Sequence, residues 1–167
     1  MLFYIWALSI VLIDQFIKQT VHTLMSLGQT VPLIPGLLNL TYVRNTGAAF
    51  SIFVGFSSYL AFVGIIVTMI VLYIHYRVSD QRKIVHIALA FILGGSLGNL
   101  IDRLCRTYVV DYVDVSFWPV FNFADIMINI GVIIFVLFFF EEEVEEIKEE
   151  HQEREILEGL EHAADSD

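Results

Sequence analysis

Two aspartates, Asp111 in VVDYVDV and Asp125 in FNFADIMINI, stand fourteen positions apart at the edge of a long apolar run. A carboxylate in or against hydrocarbon costs roughly 3 kcal/mol, so its presence points to use. Two carboxylates that converge on one water molecule supply both an acid and a base, enough to hydrolyse an amide with no metal and no covalent intermediate. Their surroundings differ. Asn122 is a good helix N-cap and Asp125 follows three residues later, as in a capping box with Asp in place of Glu. The helix terminus stabilises a negative charge there. Asp111, among Val109, Val110, Tyr112 and Val113, is presented from an outer loop without that support. The pair is expected to share one proton, with the charge tending to Asp125.

Other chemistries are less well supplied. Cys105 is the sole cysteine, which excludes an intramolecular disulfide and a cysteine metal site. The five histidines, His22, His75, His86, His151 and His162, show no metal-ligand spacing, and no metal or cofactor is expected. GGSLG at 94–98 fits G-x-S-x-G, but Ser96 lies inside an apolar helical run rather than at a strand-to-helix turn. Gly94 and Gly98 there read as G-x-x-x-G, a surface for close helix packing. A serine mechanism would require His75 or His86 to reach Ser96.

The elements that must position these residues are membrane helices. The chain is 57% hydrophobic and 17% charged, and four apolar stretches reach the roughly 20 residues needed to cross a bilayer: about 2–21, 58–76, 84–101 and 122–140. The first stretch lacks a basic n-region and an A-x-A site and carries Asp14 and Lys18, so it is expected to be a retained span, not a signal peptide. The fold class is therefore an all-α membrane protein of four transmembrane helices. Residues 22–57 include VPLIPGLLNLTYV, whose turn and β-branched residues suggest short strands. With residues 107–121 they are expected to form a small extracytoplasmic sheet and loop subdomain over the aspartates, with an edge that an extended substrate can pair with.

The domain division follows charge. Residues 1–140 form the membrane domain and sum to +1, whereas residues 141–167 form a tail with thirteen acidic residues against Lys148 and Arg154, a net of −11. A nucleic-acid partner is excluded by that balance. The tail reads as a solvated cytoplasmic helix. RVSDQRK at 77–83 concentrates Arg77, Arg82 and Lys83 and marks the cytoplasmic side. Both termini then lie inside, and the polar residues gather near the outer leaflet. Arg44, Arg103 and Arg106 fall on that outer side against the general bias.

Further polar residues accompany the aspartates. Asp14 and Lys18 are i,i+4 neighbours, as are Asn99 and Arg103. The first pair reads equally as a structural salt bridge or a substrate contact, while the forked donors of Arg103 suit carbonyls and carboxylates. Asn45, Gly47, Ala48 and Ala49 form a small-residue stretch that permits close backbone approach.

Taken in order, LIDQFIK at 12–18, RNTGAAFS at 44–51, GGSLGNLIDR at 94–103, VVDYVDV at 109–115 and FNFAD at 121–125 resemble the lipoprotein signal peptidase, or signal peptidase II, family over residues 1 to 140. The resemblance implies an aspartic endopeptidase of the bacterial inner membrane that cuts prolipoproteins before a diacylglyceryl-bearing cysteine. It implies Asp111 and Asp125 as the dyad, with Asp14, Lys18, Asn45, Gly47, Asn99, Arg103 and Asn122 lining or bracing the site. It also implies membrane lipid and globomycin-type inhibitors as partners and a monomer as the working unit. The alternative is a proton-coupled carrier relaying protons through the same carboxylates.

Overall fold

Long apolar stretches become helices because a backbone in hydrocarbon must satisfy its own hydrogen bonds. In the computed structural model, which describes residues 1–47 and 57–139, these are α1 (Leu2–Leu24), α2 (Ser57–Arg77), α3 (Lys83–Arg106) and α4 (Phe123–Phe139). The first three are long and apolar enough to cross a membrane. The described part of α4 has seventeen residues, and the expected end of that span at 140 and the tail 141–167 lie outside the described residues. The helices run beyond the expected spans at α1 and α3, so Asp102 and Arg103 stand within α3 rather than past its end.

α3 is the central helix. Of its apolar stretch 61% is buried, against 11% for α2, which turns most of its surface outward. Gly94 and Gly98 lie against α1: a Cβ at Gly94 would fall 2.8 Å from the Ala7 carbonyl oxygen, and one at Gly98 would fall 2.5 Å from Asp14 Oδ2. The G-x-x-x-G surface therefore serves packing, as its sequence suggested. His75 and His86 meet each other instead, Nδ1 to Nδ1 at 2.8 Å, and His86 also bonds the Ser79 carbonyl at the start of α3. Ser96 lies ten residues further along α3, about 15 Å at the helical rise, beyond reach of either ring.

Gly95 faces α4, where an added Cβ would collide with the Ala124 carbonyl. Gly95→Ala is thus expected to destabilise the fold by about 1–3 kcal/mol and to displace the first turn of α4. Gly64→Ala, whose Cβ would meet only Leu100 at an ordinary 3.5 Å, serves as the control. Thermal unfolding in detergent should separate them, and equal midpoints would overturn the packing argument.

Three antiparallel strands in the order β1 (Thr30–Ile34), β2 (Leu38–Asn45), β3 (Val109–Asp114) make the sheet. β2 pairs with β3 so that Val43 faces Asp111 and Asn45 faces Val109. The sheet's back packs on the end of α1 through Val21, Tyr42, Val110 and Tyr112. α3 ends at Thr107, whose φ of 67° is left-handed and turns the chain straight into β3. The expected small sheet is therefore present. The difference is that Asp111 belongs to it: pairing with β2 makes Val109–Asp114 a strand rather than a loop, and its first four residues are all buried.

Candidate active site

α4 begins with three backbone N–H groups that have no partner within the helix. Side chains from three elements supply partners. The Phe123 N–H donates to the Tyr112 hydroxyl of β3 (3.1 Å), the Ala124 N–H to Asp14 Oδ1 of α1 (3.1 Å), and the Asp125 N–H to Asn122 Oδ1 (3.1 Å). Asp125 returns the last contact by accepting the Asn122 N–H at Oδ2 (3.2 Å). The capping box expected from FNFAD is thus formed, and it aims the Asp125 carboxylate at the gap beside β3.

On the other side of that gap, Asp111 is only 2% exposed. Asn45 Nδ2 donates to its Oδ2 (2.8 Å) and Asn122 Nδ2 to its Oδ1 (2.6 Å). Asn122 therefore braces both aspartates, with its side chain on Asp111 and its backbone on Asp125. Burial, reinforced by the charge of Asp125, pushes the Asp111 carboxyl up to about 7 against the donors Asn45 and Asn122.

Behind the aspartates lies an amide whose orientation is forced. Asn99 Oδ1 accepts from Lys18 Nζ (2.8 Å) and from Asn122 Nδ2 (3.2 Å), which leaves its Nδ2 to donate to Asp125 Oδ1 (2.8 Å). Lys18 is fully buried and lies 2.8 Å from Asp14 and 3.4 Å from Asp102. The i,i+4 pair of α1 is thus a real salt bridge, and it also touches the network through Asn99.

Asp102, to which the sequence pattern assigned no role, is the hub of this layer. It pairs with Arg106 and Lys18, accepts from Gln15 (3.4 Å), and takes the Val110 N–H at Oδ2 (3.0 Å). That last bond fixes the residue next to Asp111. Its position three residues after Asn99 and four before Arg106, on one face of α3, was the available signal.

Of the remaining candidates, Gly47 donates its N–H to Asn45 Oδ1 (2.9 Å) and so holds the amide that holds Asp111. Arg103 is half-buried, in the field of Asp125, Asp111 and Asp102, but forms no ion pair within 4 Å among the described residues. Ala48 and Ala49 lie outside the described residues.

All of this borders a cavity of about 730 Å³. Asn45, Gly47, Asn99, Arg103, Asp111 and Asp125 line its polar side, while Ile126, Ile130 and Ile133 of α4 with Val109, Trp118 and Val120 form an apolar wall. Among the described residues no three His, Cys, Asp or Glu side chains cluster as metal ligands.

A helical membrane framework that brings two braced carboxylates to one amphipathic cavity has the build of an intramembrane aspartic peptidase. The relatives agree. The family model described as "Signal peptidase (SPase) II" matches residues 6–141. A lipoprotein signal peptidase of Halothermothrix orenii is 41% identical over 140 residues, covering 84% of this chain and 96% of that protein. That of Moorella thermoacetica is 41% identical over 132 residues, covering 79% and 88%. A solved bacterial membrane enzyme superposes with a TM-score of 0.81 at 30% identity, covering 84% of this chain and 88% of its own. The chain belongs to the signal peptidase II family and is an aspartic peptidase. The carrier alternative is set aside, since these peptidases match nearly the whole membrane domain.

Proposed function

We propose that Asp111 and Asp125 are the catalytic dyad of an endopeptidase that removes the signal peptide from diacylglyceryl-modified prolipoproteins, cutting before the lipidated cysteine. The observation that carries this is the bridging of both carboxylates by Asn122 at a cavity with one polar and one apolar side. Peptide carbonyls meet Asn45 and Arg103 on the polar side, and acyl chains lie against the isoleucines of α4. Ionised Asp125 takes a proton from a water between the pair while protonated Asp111 hydrogen-bonds the scissile carbonyl. The hydroxide adds to that carbon, the tetrahedral intermediate collapses, and a proton passes to the leaving amine. Asn99, Lys18 and Asp14 hold Asp125, and Gly47 with Asn45 holds Asp111.

α4 serves as a fourth span, with both termini cytoplasmic, the dyad near the outer leaflet of the inner membrane, and a monomer as the working unit. Cleavage of a diacylglyceryl-modified prolipoprotein, followed by gel shift with and without globomycin, tests the whole assignment. Equal cleavage of the unmodified precursor, or indifference to the inhibitor, would overturn it. Residues 141–167 form a cytoplasmic tail outside the peptidase domain, so a chain ending at residue 144 should cleave at the wild-type rate. Loss of activity would tie the tail to catalysis.

The protonated form of Asp111 sets the pH profile. Its carboxyl titrates at about 7, so kcat/KM should fall about tenfold per pH unit above that value. Stability carries the same group with a definite sign. Between about pH 4 and pH 7 the folded chain keeps a proton that the unfolded chain has released, so stability declines as pH rises through this window and levels off above it. A profile flat to pH 9 would remove Asp111 as the proton carrier.

A further inference from the structure

Three amides line the cavity. Asn45 and Asn99 hold the two aspartates, whereas Asn129 of α4 holds neither carboxylate. It stands one turn beyond Asp125 on the same face of the helix, in a wall that Ile126, Ile130 and Ile133 otherwise make apolar. An amide in such surroundings is costly unless its polar atoms find partners. One of the two does: Nδ2 donates to the Asp125 carbonyl oxygen (2.8 Å). A carbonyl oxygen only accepts, so this bond forces the orientation of the amide. Oδ1 is the branch left over, on an exposed side chain, and it accepts from nothing among the described residues. Arg103 thus offers donors to the cavity, and Asn129 offers a complementary acceptor.

The chemistry of the substrate decides what can reach that acceptor. A diacylglyceryl group on a cysteine carries ester oxygens, which only accept, whereas an extended peptide carries N–H groups, which only donate. Asn129 lies four helical residues from Asp125, about 6 Å along the axis, the span of about two residues of extended peptide. α4 starts at the sheet, next to the Val113–Phe121 bridge, and leads away from it along the isoleucines. The apolar segment of a signal peptide is the part of the substrate that matches this wall.

We propose that Asn129 Oδ1 accepts a backbone N–H from the signal-peptide side of the substrate, roughly two or three residues before the scissile bond, and so sets the register in which the peptide passes the dyad. The contact rests on the endopeptidase activity proposed above and adds a binding residue to it. Its test uses the full chain in detergent and synthetic peptides with a diacylglyceryl cysteine, each with one amide N–H before the scissile bond replaced by an ester oxygen. For the wild type, the ester at the second or third residue should raise KM about tenfold and leave kcat within about twofold, since the lost bond is made equally in ground and transition states. Asn129→Leu, similar in shape and suited to an apolar wall, should raise KM for the all-amide peptide by the same factor and show no further ester penalty. Asn129→Thr should keep part of the penalty, because its hydroxyl can donate to the Asp125 carbonyl and still accept. An ester penalty unchanged in Asn129→Leu, or none at any position in the wild type, would overturn the contact. A penalty for ether-linked lipid chains that vanishes in Asn129→Leu would assign the amide to the acyl esters and overturn it too. Failure of the wild type to cleave the all-amide peptide would remove the peptidase assignment and the contact together, whereas cleavage without an Asn129-dependent penalty removes the contact alone.

Discussion

Asp111→Asn should reduce kcat/KM by about four orders of magnitude while leaving the protein folded. The change is nearly isosteric, and the buried carboxyl it replaces carries no ion pair among the described residues. Asn45 and Asn122 both donate to Asp111, so one of them will face the new amide's N–H₂ group and lose its acceptor. That costs about 1–3 kcal/mol, a stability effect far smaller than the catalytic one. The loss of rate has a separate origin, since an amide neither holds nor returns the proton that the scissile carbonyl and leaving amine require. Asp125→Asn should be as damaging, for the complementary reason that it removes the base and one half of the capping box. The check is a gel-shift time course with equal amounts of folded enzyme, verified by thermal unfolding. Cleavage by either variant within tenfold of wild type would dismiss the dyad.

The second large effect concerns stability. Lys18→Met should destabilise the fold by about 3–5 kcal/mol, because it leaves Asp14 and Asp102 buried with one cation fewer between them. The shape of the side chain is kept, so the loss measures charge and not volume. Activity should fall with it, since Lys18 also fixes the acceptor side of Asn99 and thereby the amide that binds Asp125. Removing one acid as well, in Lys18→Met with Asp14→Asn, restores the charge balance and should recover part of the unfolding midpoint. A double variant no more stable than the single one would show that the cost is not electrostatic. Recovery of activity is expected to be incomplete, because Asp14 also receives the Ala124 N–H at the start of α4.

The bracing layer explains why these effects differ in kind. Asp111 and Asp125 touch the cavity, whereas Lys18, Asp14 and Asp102 lie behind it: Asp14 and Asp102 hold backbone, Ala124 beside Asp125 and Val110 beside Asp111, and Lys18 ties those two acids to Asn99. Preorganising two carboxylates in this way lets the site keep them close without waiting for substrate to align them.

Much of this was legible along the chain. Apolar length and the cost of an unpaired backbone in hydrocarbon determine the helices. The position of Asp125 three residues after Asn122 determines a capping box, because that geometry involves one turn of one helix. The i,i+4 spacing of Asp14 and Lys18 puts them within reach of each other but leaves a salt bridge and a substrate contact equally open, while glycines spaced at 94 and 98 point to a packing face. Each is local, a matter of spacing within a few residues. The tertiary structure decided what depends on several elements meeting. The role of Asp102 arises from Lys18, Gln15 and the Val110 N–H, donors from α1 and from the start of β3. The burial of Asp111 comes from its place on β3 against β2, since strand pairing is set by partners more than sixty residues away. The bridging of both aspartates by one asparagine has the same origin: no spacing along the chain encodes a side chain from α4 meeting a strand, because that contact exists only once hydrocarbon burial has brought the helices together.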